Sequence, residues 1–260
     1  MKKDVVQRII FLITVTCLLF TSCQKDLDKT SFINVEDEYE LFISQELSNN
    51  GGLASLIIST TQELGCSNYS IPFQVENNAE NIKVVLNEVS LEGACIAPPS
   101  VINRKLNFGL YNTDKNITIL VQNVLSNSGK IKASDDEISL NLTSNDGIKI
   151  SKVKINRIKK NLMWGAVQNA TQSSIDDINN LFESINNGGI VTSGDYGLFY
   201  VDNAANIQLY DSESNPSESF VFYSDSELSD IKTEILKIKE SDPSLVFTMT
   251  LFDGQTINVE

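Results

Sequence analysis

The side chains best suited to binding in this 260-residue sequence are four tyrosines, Tyr196, Tyr200, Tyr210 and Tyr223. Each joins an apolar ring to a polar tip, the combination that suits an interface. They lie beyond Lys159, in a stretch that holds 11 of the chain's 20 aromatic residues. Aromatic rings bind sugar faces and peptides, yet strand alternation through Tyr196-Gly197-Leu198-Phe199-Tyr200 must send some of them inward. Most of these aromatics are therefore expected in the core. A second candidate is Asp211-Ser212-Glu213-Ser214-Asn215, where Asp211, Glu213 and Asn215 place oxygen ligands at alternate positions, as calcium loops do. Pro216 stands where an EF-hand loop needs Gly and Phe222 where it needs the closing Glu, so a solvated hairpin loop is the competing reading.

Other chemistry is excluded by residue type. The chain contains no histidine, which removes Ser-His-Asp and Cys-His catalysis, His-ligated zinc and haem-His sites. Paired carboxylates alone can hydrolyse glycosides, so a carboxylate-dependent hydrolase stays open, although no pair stands out among residues that mostly fall in polar runs. No Ser-x-x-Lys opens a helix, and neither a Walker loop nor a Gly-x-Gly-x-x-Gly fingerprint is present, so no cofactor is expected. With 20 basic and 34 acidic side chains the net charge is −14, a surface that repels phosphate backbones and speaks against nucleic acid as a partner. Neutral glycans and proteins remain open as ligands.

At the N-terminus, Lys2, Lys3 and Arg8 precede an apolar stretch from Ile9 to Phe20, too short to span a bilayer comfortably, and then Thr21-Ser22-Cys23. Small residues directly before a cysteine resemble the lipobox of bacterial lipoproteins, with Leu19 or Phe20 in its apolar position. The resemblance implies a signal peptide over residues 1–22, acylation of Cys23, and a chain anchored to a membrane rather than crossing it. Gln24-Lys25-Asp26-Leu27-Asp28 is similar to the short acidic sequences that follow the lipidated cysteine in surface-exposed lipoproteins of Bacteroidota, which implies the outer membrane and its outer face, with the periplasmic face as the alternative. Removal of such a signal leaves 17 basic against 33 acidic side chains, a net charge near −16. Of the four cysteines, Cys17 would leave with the signal and Cys23 would carry lipid. Cys66 and Cys95 would then face an oxidising compartment and are expected to pair as a disulfide, with buried free thiols as the alternative.

The elements that must position these groups fall into two stretches behind a polar tether at 23–37. From 38 to 158 the hydrophobic period is two, with short runs broken by Asn, Gly, Asp and Pro. About eight strands are expected: 39–44, 53–60, 69–75, 81–91, 105–111, 116–123, 137–143 and 148–158. Asn145-Asp146-Gly147 predicts a tight hairpin between the last two, and a change of parity near Ser151-Lys152 predicts a bulge. An antiparallel β-sandwich fits best. It resembles the immunoglobulin-like modules of surface lipoproteins but lacks the Cys…Trp…Cys pattern, since the only tryptophan is Trp164. From 159 to 260 helical periods appear. Ile175, Ile178, Leu181 and Ile185 follow a Ser173 or Ser174 cap and stop at Asn187-Gly188-Gly189. Leu228, Ile231, Ile235 and Ile238 follow a Ser224/Glu227 capping box and stop at Asp242-Pro243. With strands around 162–167, 197–201, 206–210, 219–223 and 245–251, this predicts a small α+β domain with two helices on one face of an antiparallel sheet. The chain as a whole is expected to be mainly β and to serve as a lipid-anchored, non-enzymatic binding or structural protein of the cell envelope, or alternatively as a surface glycan-binding lipoprotein assisting uptake.

Overall fold

The computed structural model describes residues 38–95, 98–110, 112–210 and 216–260. The expected signal peptide, Cys23 and the tether lie outside these residues, as do Asp211, Glu213 and Asn215. Among the described residues no helix is long and apolar enough to cross a membrane. The fold is mainly β with a small helical part.

Twelve strands occupy the first stretch: β1 (Tyr39–Glu46), β2 (Leu53–Thr60), β3 (Tyr69–Ser70), β4 (Phe73–Asn77), β5 (Asn81–Leu86), β6 (Ser90–Leu91), β7 (Asn103–Leu110), β8 (Thr113–Val121), β9 (Leu125–Ala133), β10 (Glu137–Leu142), β11 (Ile148–Lys152) and β12 (Lys154–Asn156). A four-stranded sheet in the order β11-β1-β2-β7 and a six-stranded sheet in the order β12-β10-β9-β8-β5-β4 share one core. Alternation decides which side chains enter it. Leu41 and Ile43 of β1 and Leu56 and Ile58 of β2 meet Ile82 and Val84 of β5, Ile117 and Ile119 of β8, and Ile138 and Leu140 of β10. Most pairs are antiparallel, but β1 runs parallel to β11 and β5 parallel to β8.

Several sequence expectations change here. Pro72 cannot donate to a ladder, and the expected strand 69–75 breaks there into β3 and β4. The expected strand 81–91 divides into β5 and β6. The strand 148–158 divides at Val153: β11 pairs with β1, whereas β12 crosses to pair with β10 in the other sheet. Within the β1–β11 pairing the register slips, with Leu41 opposite Ile150 and Phe42 opposite Lys152, so Ser151 is the extra residue of the expected bulge. The Asp146-Gly147 turn consequently is no hairpin. It carries the chain from the six-stranded sheet to the four-stranded one, with Gly147 at φ 70°. Cys66 and Cys95 are joined as a disulfide across Cα atoms 5.7 Å apart.

The second stretch contains β13 (Leu162–Gln168), helix α1 (Gln172–Ile185), β14 (Gly194–Asp195), β15 (Phe199–Val201), β16 (Ile207–Leu209), β17 (Glu218–Tyr223), helix α2 (Leu228–Ser241), β18 (Val246–Leu251) and β19 (Thr256–Val259). An antiparallel sheet in the order β17-β13-β18-β19 takes both helices on one face, where Ile178 and Phe182 of α1 and Ile231 and Ile235 of α2 pack on Met163, Phe220, Phe247 and Met249. Its other face, presenting Leu162, Trp164 and Tyr223, is covered by a separate sheet of β14, β15 and β16. Strands expected near 197–201 and 206–210 belong to that third layer rather than to the helix-bearing sheet.

Both helix caps also differ from expectation. Helix α1 starts at Thr171, whose hydroxyl accepts from the Ser174 amide at 3.3 Å. Asp242, just past the end of α2, fixes that turn: its carboxylate accepts from the Ser244 hydroxyl at 2.6 Å and from the Thr171 amide and the Ser174 hydroxyl, both at 2.8 Å. Helix α2 begins after Glu227 without a side-chain cap, because Ser224 is held at the sheet end, its amide donating to Asn161 O at 3.0 Å.

Gln45 ties the two stretches together. Its fully buried amide donates to Tyr196 O at 2.5 Å and Asn156 O at 3.1 Å, and accepts from the Ile158 amide at 2.9 Å. Gly52 lies against it, and a Cβ there would stand 1.7 Å from Gln45 Oε1.

Two outcomes follow from these contacts. Gln45→Ala should cost about 3 kcal/mol, through stranded polar groups and a cavity. Gly52→Ala should be similarly damaging because its methyl expels the amide. In a denaturant double-mutant cycle the pair should be strongly non-additive, since both act on the same contact. The hydrogen bonds to Asp242, led by that from Ser244, hold its carboxyl well below the ordinary carboxylate range. Their stabilisation is complete above the unfolded-state value of about 3.9 and is lost as the pH falls through the lower folded-state value. Asp242→Asn should therefore lower the denaturation midpoint at pH 7, with the gap to wild type closing as the pH drops below about 4.

Candidate functional site

The four tyrosines separate into two pairs on opposite sides of the three-stranded sheet. Phe199 and Val201 of β15 point inward to Trp164 and Tyr196, and Tyr196 stacks on Phe199 with ring centroids 4.7 Å apart. The residues between them point out. Asp195 of β14 stands opposite Tyr200 of β15, and Tyr200 stands opposite Gln208 of β16. Tyr210 continues the β16 parity two residues beyond Gln208, so Asp195, Tyr200, Gln208 and Tyr210 share the outer face. Tyr200 and Tyr210 remain 41% and 43% exposed, whereas Tyr196 and Tyr223 are buried.

A small ionic cluster fixes Tyr210. Asp195 accepts from the Tyr210 hydroxyl at 2.8 Å and from the Gly197 amide at 2.6 Å, and forms an ion pair with Lys152 at the end of β11. The Lys152 ammonium also lies over the Tyr210 ring, 4.7 Å from its centroid. Burial raises the Tyr210 phenol above its ordinary value, and the hydrogen bond to Asp195 and the Asp195 charge raise it further. Tyr210 is therefore a neutral, orientationally fixed ring at physiological pH. Among the described residues the Tyr200 hydroxyl and the Gln208 amide make no hydrogen bond. Two aromatic faces with a free amide beside them can stack on an apolar ligand face and read its hydroxyls.

The buried pair sits at the junction with the sandwich. Tyr196 donates its hydroxyl to Thr192 O at 3.0 Å, and Tyr196 and Tyr223 line a cavity of about 250 Å³ with Asp136, Asn156, Arg157 and Lys159. Arg157 is buried there, donating to Gly52 O at 2.8 Å and to Asn112 Oδ1 and Ser134 O at 2.7 Å. Lys159 donates to Asp136 at 2.6 Å, and this hydrogen bond, followed by the Lys159 charge, lowers the Asp136 pKa. Among the described residues no group of three or more acidic or cysteine side chains is arranged to hold a metal ion.

Alternation through Phe199-Tyr200-Val201 and Ile207-Gln208-Leu209 could have assigned Tyr200 and Gln208 to the outer face. Lys152 could not have been found that way, because it reaches Asp195 only through the crossing of the chain between the sandwich sheets. Tyr223 shares its parity with Val221, so period alone would have placed it opposite Phe220 and Phe222.

No protein-family profile matches the chain, and searches of curated proteins and of solved structures find none similar to it.

The Asp195 contact has a direct spectroscopic consequence. In Asp195→Asn the Tyr210 phenol should ionise at lower pH than in wild type, yet still above an ordinary tyrosine, because burial is the larger cause and is unchanged. Ultraviolet titration referenced to Tyr210→Phe would resolve it.

Proposed function

We propose that this chain is a lipid-anchored cell-envelope protein that binds a ligand rather than transforming one, with its binding surface on the outer face of the β14-β15-β16 sheet. The observation that carries the reading is the exposed Tyr200–Tyr210 pair, in which Tyr210 is pinned by Asp195 and Lys152 and Tyr200 stands opposite the unengaged Gln208 amide. A ring held in place before a ligand arrives, as Tyr210 is, loses little conformational entropy on binding. The lipobox-like Thr21-Ser22-Cys23 supports attachment through acylated Cys23, and the acidic residues after it support display at the outer membrane surface.

Neutral glycans are the favoured ligands. A pyranose ring presents an apolar face to tyrosine and equatorial hydroxyls to an amide, and it meets no repulsion from a strongly acidic chain. A protein partner is the second possibility, favoured by the same amphipathic rings.

Thermal unfolding of residues 24–260 against a panel of neutral oligosaccharides tests the reading. A bound glycan at about 100 times its dissociation constant should add roughly 2.7 kcal/mol of stability. Tyr200→Ala and Tyr210→Ala should each abolish that shift while leaving the unliganded protein folded. Absence of any shift would move the surface to a protein-partner role, tested by cross-linking on whole cells with and without the same substitutions.

A further inference from the structure

One edge of the six-stranded sheet is strand β4, which pairs with β5 on one side and with no described strand on the other. Its ladder decides which backbone groups are left over. The Asn87 amide donates to Pro72 O at 3.0 Å and the Asn78 amide to Asn81 O at 2.9 Å, so Pro72, Gln74, Glu76 and Asn78 turn their backbone groups toward β5. Phe73, Val75 and Asn77 turn theirs away, and among the described residues these three amides and three carbonyls make no hydrogen bond. Every residue of β4 is exposed, Phe73 and Val75 at 38% each.

We propose that β4 is a homodimerisation edge: it pairs antiparallel with β4 of a second copy of this chain, about a two-fold axis through Val75, and joins the two six-stranded sheets edge to edge.

The strand is its own complement. With Val75 opposite Val75 of the second copy, Phe73 stands opposite Asn77, and each facing pair exchanges two backbone hydrogen bonds, so every open amide and carbonyl of β4 finds a partner. A two-fold axis through Gln74 or through Glu76 leaves a third of these groups unpaired, and the second of those choices also brings Glu76 against Glu76. Side chains follow the same match. On the outer face Glu76, paired with Lys83 at 3.4 Å, meets the Gln74 amide of the second copy instead of another acid. On the inner face the row Val84-Val75 continues into Val75 and Val84 of the second copy, which covers apolar side chains that the edge leaves open.

Charge and edge chemistry favour this strand over the others. β4 and β5 carry one acid and one base between them, Glu76 and Lys83, so two copies of a chain of net charge −14 meet here at a neutral edge. Sheets blunt open edges with basic side chains, bulges or very short strands. β7, an edge of the four-stranded sheet, has Arg104 and Lys105 and a register that slips against β2 near Gly109, and β12, at the other end of the six-stranded sheet, is three residues long. β4 has no basic residue and keeps an unbroken register with β5.

Multi-angle light scattering of the full-length chain in a non-ionic detergent tests the pairing. Between about 1 μM and 0.1 mM, a range that reaches weak interfaces, the protein mass should rise toward twice the 28.8 kDa of one chain. Val75→Pro removes an amide that β5 does not use, and Val75→Lys sets two ammonium groups face to face. Both should stay at the mass of one chain while keeping the wild-type circular dichroism spectrum, and the lysine variant decides if the proline variant misfolds. Tyr200→Ala should leave the dimer intact, which separates this edge from the tyrosine surface. Cysteine trapping reads the register, because facing residues of a hydrogen-bonded pair have Cα atoms about 5.5 Å apart, within disulfide reach. Under mild oxidation, and relative to the wild-type chain with its own cysteines, Val75→Cys should link to itself, whereas Phe73→Cys should link to Asn77→Cys and not to itself. A chain that stays monomeric throughout, a dimer that Val75→Lys leaves intact or Tyr200→Ala removes, or a Val75→Cys chain that does not link to itself overturns the proposal.

Discussion

The structure depends on one side-chain amide. Gln45 sits in β1, a central strand of the four-stranded sheet, and spends both ends of its amide on backbone outside the sheet. One oxygen holds the segment leaving the sandwich at Ile158. The nitrogen holds Asn156 and, far along the chain, Tyr196. A buried amide with no partner costs about 1–3 kcal/mol per unmet group, so the position is stable only when all three backbone groups are in place. The same requirement explains why Gly52 is bare: the space that its Cβ would fill is already taken by the amide oxygen.

From that contact the tyrosines receive their places. Fixing the Tyr196 carbonyl fixes the start of the small sheet, whose inner residues close over Trp164 and whose outer residues become the exposed surface. Lys152 then adds a second tie from the sandwich to Asp195. The two tyrosine pairs are therefore not separate features. They are the two sides of one thin sheet clamped between a sandwich and a helix-backed sheet, one side facing solvent and the other facing the junction.

Much of this was legible in the amino acids where one face of a strand is apolar and the other polar. The runs through Ile117-Ile119-Val121 and Ile138-Leu140 identify their strands without ambiguity, and the α2 stripe of Leu228, Ile231, Ile235 and Ile238 matches its packing. Strand β9 was missed for a physical reason. Its inward positions include Asn127 and Gly129 rather than apolar side chains, Asn127 because it bonds the turn at Asp146, and Gly129 because a Cβ would lie 2.0 Å from Asn141 O. The β10–β11 connection was misread because Asp-Gly encodes the bend but not which sheet the chain enters next. Of the candidate site, residue types were legible and grouping was not: four tyrosines could be named, but their division into pairs depends on Gln45 and Lys152, which act from the other stretch of the chain.

The position of β1 also bears on how the molecule carries force. The strand is flanked on one side by antiparallel β2 and on the other by parallel β11, so a pull directed along its axis meets hydrogen bonds on both sides. The ladder bonds lie across that pull and are loaded together, instead of opening one after another as they would in a hairpin drawn apart from its ends. Under a pull along that axis, rupture would require many bonds to fail at once, with Gln45 as a further brace near the end of the strand.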